Sequence, residues 1–169
     1  MNISKLTIFV ALMTAFSLIL FFIEFMLPKP MPFMKLGLSN IVIIAMIIST
    51  LHKEAFIVSI LKAVIGGFLS GVIFTPTMLL SFFGSIASCL AMIFVNKYIK
   101  ALSITGVSVV GSFTHLCVQL LIVRGVVVKT NQVFHLYPLI AFCALSAGII
   151  TAIIAKLFLK HINLNKFIK

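Results

Sequence analysis

The sequence predicts an all-α fold, a polytopic membrane bundle of six transmembrane helices with both termini on the cytoplasmic side. Three observations lead there. Hydrophobic residues make up 63% of the 169 and charged residues only 9%, against roughly 45–50% and about 25% in ordinary soluble domains. A water-soluble fold of this length could not enclose that much apolar side chain. The apolar residues also fall into runs of the length that crosses ~30 Å of hydrocarbon, about 20 residues. Finally, Arg124 and the Lys residues stand mostly singly between those runs, as topology signals do.

The elements follow in chain order. The first span covers 6–27 and stops at Pro28-Lys29-Pro30-Met31-Pro32, where the prolines forbid a continuous helix. This run reads as a span and not as a removable signal, because no small-residue cleavage site follows it. The second span is 36–51, closed by His52-Lys53-Glu54. Between Ala63 and Asn96 there is no charge, with Pro76 in the middle. One helix would be too long, and cutting at Pro76 leaves a first half that is too short. The count closes only if the third span starts near Ala55 and carries Lys62 into the membrane. The third and fourth spans are then 55–74 and 78–95, joined by a Thr75-Pro76-Thr77 turn. The fifth is 104–123 and the sixth 136–159, with Arg124 to His135 as the loop between them.

Six spans place both termini on one side. A cytoplasmic placement puts Lys5, Lys53, Lys97, Lys100, Lys156, Lys160, Lys166 and Lys169 inside, against Lys29, Lys35, Arg124 and Lys129 outside. That bias favours N-in/C-in. The whole of 1–169 reads as one integral domain of a cell membrane, without internal repeats.

Composition also removes function classes. The net charge of +11 lacks the basic stripe that follows a phosphate backbone, so no nucleic-acid partner is expected. The cations read as topology signals and contacts to anionic lipid headgroups. Glu24 and Glu54 are the two acids and Asp is absent, so an Asp-rich Mg-diphosphate site cannot be built within this chain. No Gly-rich phosphate loop with a following Lys-Ser/Thr is present, and the acids are too few for a nucleophile–base–acid set. No enzymatic activity, metal or cofactor is expected. Cys89, Cys117 and Cys143 lie in apolar runs without metal-ligand spacing and read as small hydrophobes.

Polar groups inside the spans carry the remaining information. Ser108, Ser112, His115 and Gln119 fall at i, i+4, i+7 and i+11, one helical stripe. They read either as interhelical hydrogen bonds or as the lining of a ligand cavity. Gly67 and Gly71 form a GxxxG step, whose commonest use is close helix packing. Lys62 either snorkels to the inner interface or faces the bundle and needs a partner. Ser81, Gly84, Ser85 and Ser88 make a small-residue seam on the fourth span. Ala11 and Ala15 form an AxxxA step on the first, and Ala15 lies about 180° around the helix from Glu24.

These motifs have a familiar arrangement. Pro30-Met31-Pro32-Phe33-Met34-Lys35-Leu36-Gly37-Leu38-Ser39-Asn40 resembles the Pro-x-Pro…Lys-Leu-Gly-Leu-Ala-Asn signature of the Gx transporter family, also labelled heptaprenyl diphosphate synthase component I. Lys53-Glu54-Ala55 with the run Leu61 to Gly71 resembles its third-helix block, and Gly106 to Gly111 with His115 and Gln119 its fifth. Lys62 stands where the family pattern has Arg, and Leu116 and Val118 replace an Asn and a Gly.

That family is similar to the membrane substrate-binding (S) components of energy-coupling factor transporters. The resemblance implies six helices, an outward-facing pocket, and docking through Ala11 and Ala15 onto a coupling subunit driven by two ATPases. It implies capture of a small extracellular substrate followed by rotation of the bundle in the membrane. The substrate-binding residues expected are Glu24, Lys35, Asn40, Lys62, His115, Gln119 and Arg124, with Lys35 and Arg124 placed where they could meet an anionic group; Arg124 reads equally as an interfacial anchor. The synthase label implies a different role, a non-catalytic membrane accessory of isoprenoid synthesis.

Overall fold

A computed structural model describes residues 3–27, 37–72, 74–162 and 164. Six α-helices and no strand occur among the described residues. They are α1 (Ile3–Met26), α2 (Asn40–Ile48), α3 (His52–Leu69), α4 (Pro76–Tyr98), α5 (Ile104–Ile122) and α6 (Tyr137–His161). Four stretches are long and apolar enough to cross a membrane: Ser4–Met26, Pro76–Tyr98, Ile104–Val128 and Gln132–His161.

The second element departs most from expectation. Apolarity over 36–51 predicts a span, but α2 has 9 residues, about 13 Å at 1.5 Å per residue. Both of its ends are set by left-handed backbone. Gly37 sits at φ 84° before it and Thr50 at φ 65° after it. At the C-terminal end Leu51 N–H donates to Met46 O (2.9 Å) and Thr50 N–H to Ile47 O (3.0 Å), the paired bonds of a Schellman cap. Asn40 to Ile47 are all buried, against α3, α6, α4 and α1. The run is apolar because protein surrounds it on every side, and composition does not distinguish that from lipid.

The other boundaries shift for local reasons. The third helix starts earlier than 55 and stops earlier than 74. Glu54 sits in its first turn, where an acid complements the helix dipole. Gly71, at φ 70°, ends it through Val72 N–H to Gly67 O and Gly71 N–H to Phe68 O, both 3.1 Å. The GxxxG step therefore divides. Gly67 packs on Met78, whereas a Cβ at Gly71 would meet nothing within 4 Å, so Gly71 is a terminator and not a packing residue. Pro76 is not mid-turn but opens α4, where its missing N–H costs no hydrogen bond. The expected loop from Arg124 to His135 is largely helical: α5 widens into a π-helical stretch, Val123–Val128, and a 3₁₀ turn, Asn131–Leu136, leads into α6.

The helices are seamed by small residues and buried hydroxyls. Gly66 lies under the Phe21 ring, joining α3 to α1. Ser59 Oγ donates to Ser85 O (3.1 Å), joining α3 to α4. Ser88 Oγ donates to Gly111 O (2.8 Å), joining α4 to α5. Between α5 and α6 the backbones nearly touch. A Cβ on Gly148 would stand 2.7 Å from Val109 Cα, and Ser108 Oγ donates to Gly148 O at 2.7 Å beside Thr151 Oγ1 at 2.8 Å. At the opposite end from the Gly37 turn, Asn96 Nδ2 donates to Ile47 O (3.2 Å) and lies 3.3 Å from His52 Nε2, pinning the C-terminal end of α2. The apolar remainder faces outward. Ile8, Leu12, Ile19 and Ile23 of α1 are each about half exposed.

Two outcomes follow for stability in detergent. Gly148→Ala forces a methyl against fixed backbone, and its melting temperature falls by the equivalent of about 1–3 kcal/mol. Thr50→Gly relieves a β-branched residue from positive φ, and its melting temperature rises, worth about 1 kcal/mol after the entropy cost of glycine.

Candidate functional site

The site is built on one short turn. Gly37-Leu38-Ser39-Asn40 reverses the chain ahead of α2, with Asn40 N–H donating to Gly37 O (2.8 Å). The left-handed φ of Gly37 turns its own N–H toward α1, where it donates to Glu24 Oε1 at 2.6 Å. The next polar residue binds two helices. Ser39 O accepts from Ser17 Oγ of α1 (2.9 Å), and Ser39 Oγ accepts from Lys62 Nζ of α3 (3.1 Å). Asn40 Oδ1 accepts from the same ammonium at 2.5 Å. One turn thus holds both a buried carboxylate and a buried ammonium.

Lys62 does not snorkel. It is 2% exposed, ten positions into an 18-residue helix, and turned into the bundle. Glu24 is 3% exposed. Both line a pocket whose other walls are Phe21, Gly37, Ser39, Ala63, Ser81, Ser85 and His115. The room open to the centre of a water-sized sphere is about 10 Å³, roughly one water. A larger occupant therefore requires the walls to part.

His115 is steered from behind. Its Nε2 lies 3.1 Å from Gln119 Nε2, and its ring packs on Gly84, where a Cβ would stand 3.1 Å away. Gln119 is 3% exposed, and its Oε1 has no hydrogen-bond partner. It supports His115 without forming the pocket wall. The serine–histidine–glutamine stripe of α5 divides by level: Ser108 bonds to α6, while His115 reaches the pocket.

Of the expected binding residues, the structure gathers Glu24, Lys62 and His115 in the pocket wall, with Asn40 and Gln119 bonded directly behind. Arg124 lies exposed on the π-helical stretch, its guanidinium 5.5 Å from the Phe134 ring centroid, and is not among the residues that line the pocket. Lys35 lies outside the described residues, as does the whole Pro30-to-Leu36 stretch. Ser39, Ser81, Ser85 and Phe21 were not anticipated as pocket residues. Ser81 and Ser85 share the small-residue seam of α4, and small polar residues give the same pattern in a packing face as in a cavity wall. Ala11 and Ala15 are both exposed, on the side of α1 away from Glu24.

A model of the family described as heptaprenyl diphosphate synthase component I matches residues 13–158, and the chain belongs to that family. The match includes every residue of the cluster around Lys62. Neither a curated protein nor a solved structure matches the chain.

Asn40→Ala removes one acceptor from a buried ammonium. Its expected cost is about 1.5–3 kcal/mol, read as a lower melting temperature, whereas Asn40→Asp, which keeps an acceptor there, loses less.

Proposed function

We propose that this member of the heptaprenyl diphosphate synthase component I family is a membrane-embedded, non-catalytic substrate-binding subunit, resembling the S components of energy-coupling factor transporters. The observation that carries the reading is the pocket at the Gly37–Asn40 turn. Ionisable side chains within a bundle are costly, and they are kept where they serve an ion, a proton or a ligand. Here a carboxylate, an ammonium and an imidazole from three helices converge on one small space. Acids are scarce in the composition, with two Glu and no Asp. Binding is the chemistry that remains.

In this reading the termini are cytoplasmic and the pocket opens outward, as the bias of cations implies. Capture parts the turn from the walls, and uphill movement takes its energy from separate ATP-driven subunits. The outward face of α1, with Ala11 and Ala15 exposed, is the docking surface for the coupling subunit. Two small side chains one turn apart allow a partner helix to approach closely.

The family description favours a second reading, a non-catalytic membrane accessory of heptaprenyl diphosphate synthesis. The two readings differ in what copurifies. The substrate-binding subunit brings a coupling membrane protein with ATPases, and the accessory brings a soluble, Asp-rich synthase subunit.

Ala11→Trp/Ala15→Trp separates docking from folding. Both positions face outward, so the melting temperature stays close to wild type while recovery of the coupling partner in affinity purification falls at least tenfold. Undiminished partner recovery, or copurification of a prenyl synthase in its place, overturns the transporter reading.

A further inference from the structure

The directional bonds that side chains make to α2 are confined to its ends. From Ile41 to Ile48 it reads Ile-Val-Ile-Ile-Ala-Met-Ile-Ile, without a hydroxyl, an amide or a charge. Other seams of the bundle are stitched in mid-helix by hydroxyls, at Ser59, Ser88 and Ser108. Apolar contact is non-directional. An aliphatic helix enclosed by α3, α6, α4 and α1 is therefore held firmly inside the bundle but not fixed along its own axis. Its axial position rests on the polar bonds at its two ends.

At one end the Gly37–Asn40 turn bonds to Glu24, Ser17 and Lys62. At the other, Ile47 O accepts from Asn96 Nδ2 of α4, and the same nitrogen lies 3.3 Å from His52 Nε2 of α3. A carbonyl oxygen only accepts, so the Asn96 amide must present its nitrogen to α2. The helix between these ends is short, and Asn40 to Ile47 are all buried. A close-packed interior passes a displacement on and does not absorb it.

We propose that α2 is a strut coupling the two ends of the bundle, and that Asn96 is a positioning residue for the pocket, acting through α2. Loss of the Asn96 bond frees α2 to shift along its axis, and the shift draws Ser39 and Asn40 away from Lys62. Asn96 and His52 are half-buried, at the end of the bundle opposite the Gly37 turn. An event at that end thereby changes the pocket's hold on its contents. What the motion serves rests on the substrate-binding reading, while the coupling itself does not.

The test is amide hydrogen exchange read by mass spectrometry, on the full chain in lipid nanodiscs without added ligand. Asn96→Leu keeps the bulk of the side chain and removes its donor. In this variant the N–H groups of Gly37, Asn40 and Ile41, bonded to Glu24, Gly37 O and Leu38 O, are expected to exchange about tenfold faster. The α5–α6 seam at Gly148 keeps its wild-type rates. Coupling is reciprocal, so Asn40→Ala speeds exchange of the Thr50 and Leu51 N–H groups that close the far end of α2. Ser88→Ala removes a bond between α4 and α5 and leaves both ends of α2 unchanged. A rise confined to the altered end, or an equal rise across all six helices, overturns the strut and leaves the substrate-binding reading standing. Where Asn96→Leu does not fold, the Asn40→Ala measurement decides alone.

Discussion

A lysine ammonium held inside an apolar bundle sets the terms for the rest of this molecule. Left without acceptors, Lys62 would be too costly to keep charged away from water. The chain meets the requirement with a turn and not with another helix face. A reversal just ahead of a helix places a serine hydroxyl and an asparagine amide oxygen side by side, and both accept from Nζ. That need explains why α2 begins at Asn40, and why a glycine at positive φ precedes it.

The short second helix follows from the same requirement. Its first residue must lie beside Lys62, so it starts part-way through the bundle. Its last turn is fixed at the other end by Asn96 and by the strained cap at Thr50. Between those points it has no lipid to face, and α1, α3, α4 and α6 close around it. Gly66, Gly111 and Gly148 then bring the outer helices near enough for buried serine hydroxyls to bridge backbones. The polar groups of the bundle form two sets. One set, Ser59, Ser88, Ser108 and Thr151, ties helix to helix. The other surrounds the pocket at Glu24, Lys62 and His115, and function is argued from this second set.

The sequence made much of the site legible, through different signals. Lys62 was forced into the membrane by counting spans, since no even division of the apolar runs leaves it outside. Glu24 stood out because the chain has two acids. His115 and Gln119 shared a helical stripe. Arg124 had the same claim as Lys62 on charge alone, and the structure places it on an exposed π-helical stretch, stacked on Phe134. Residue type and approximate depth cannot tell a pocket cation from an interfacial one. The direction of the side chain decides.

By itself the amino-acid sequence determined the apolar surroundings this protein needs, its helical character and its scarcity of acids, because those depend on composition and on apolar run length. It also marked the Gly37–Asn40 element as special. Tertiary structure decided that the second apolar run holds a short enclosed helix, Asn40–Ile48, that Gly71 ends a helix and does not pack one, and that Lys62 meets Ser39 and Asn40 in the space shared with Glu24 and His115. An apolar side chain gains equally from lipid and from a neighbouring helix, so hydrophobicity is blind to that choice. Only the three-dimensional arrangement, in which buried polar groups must find partners, resolves it.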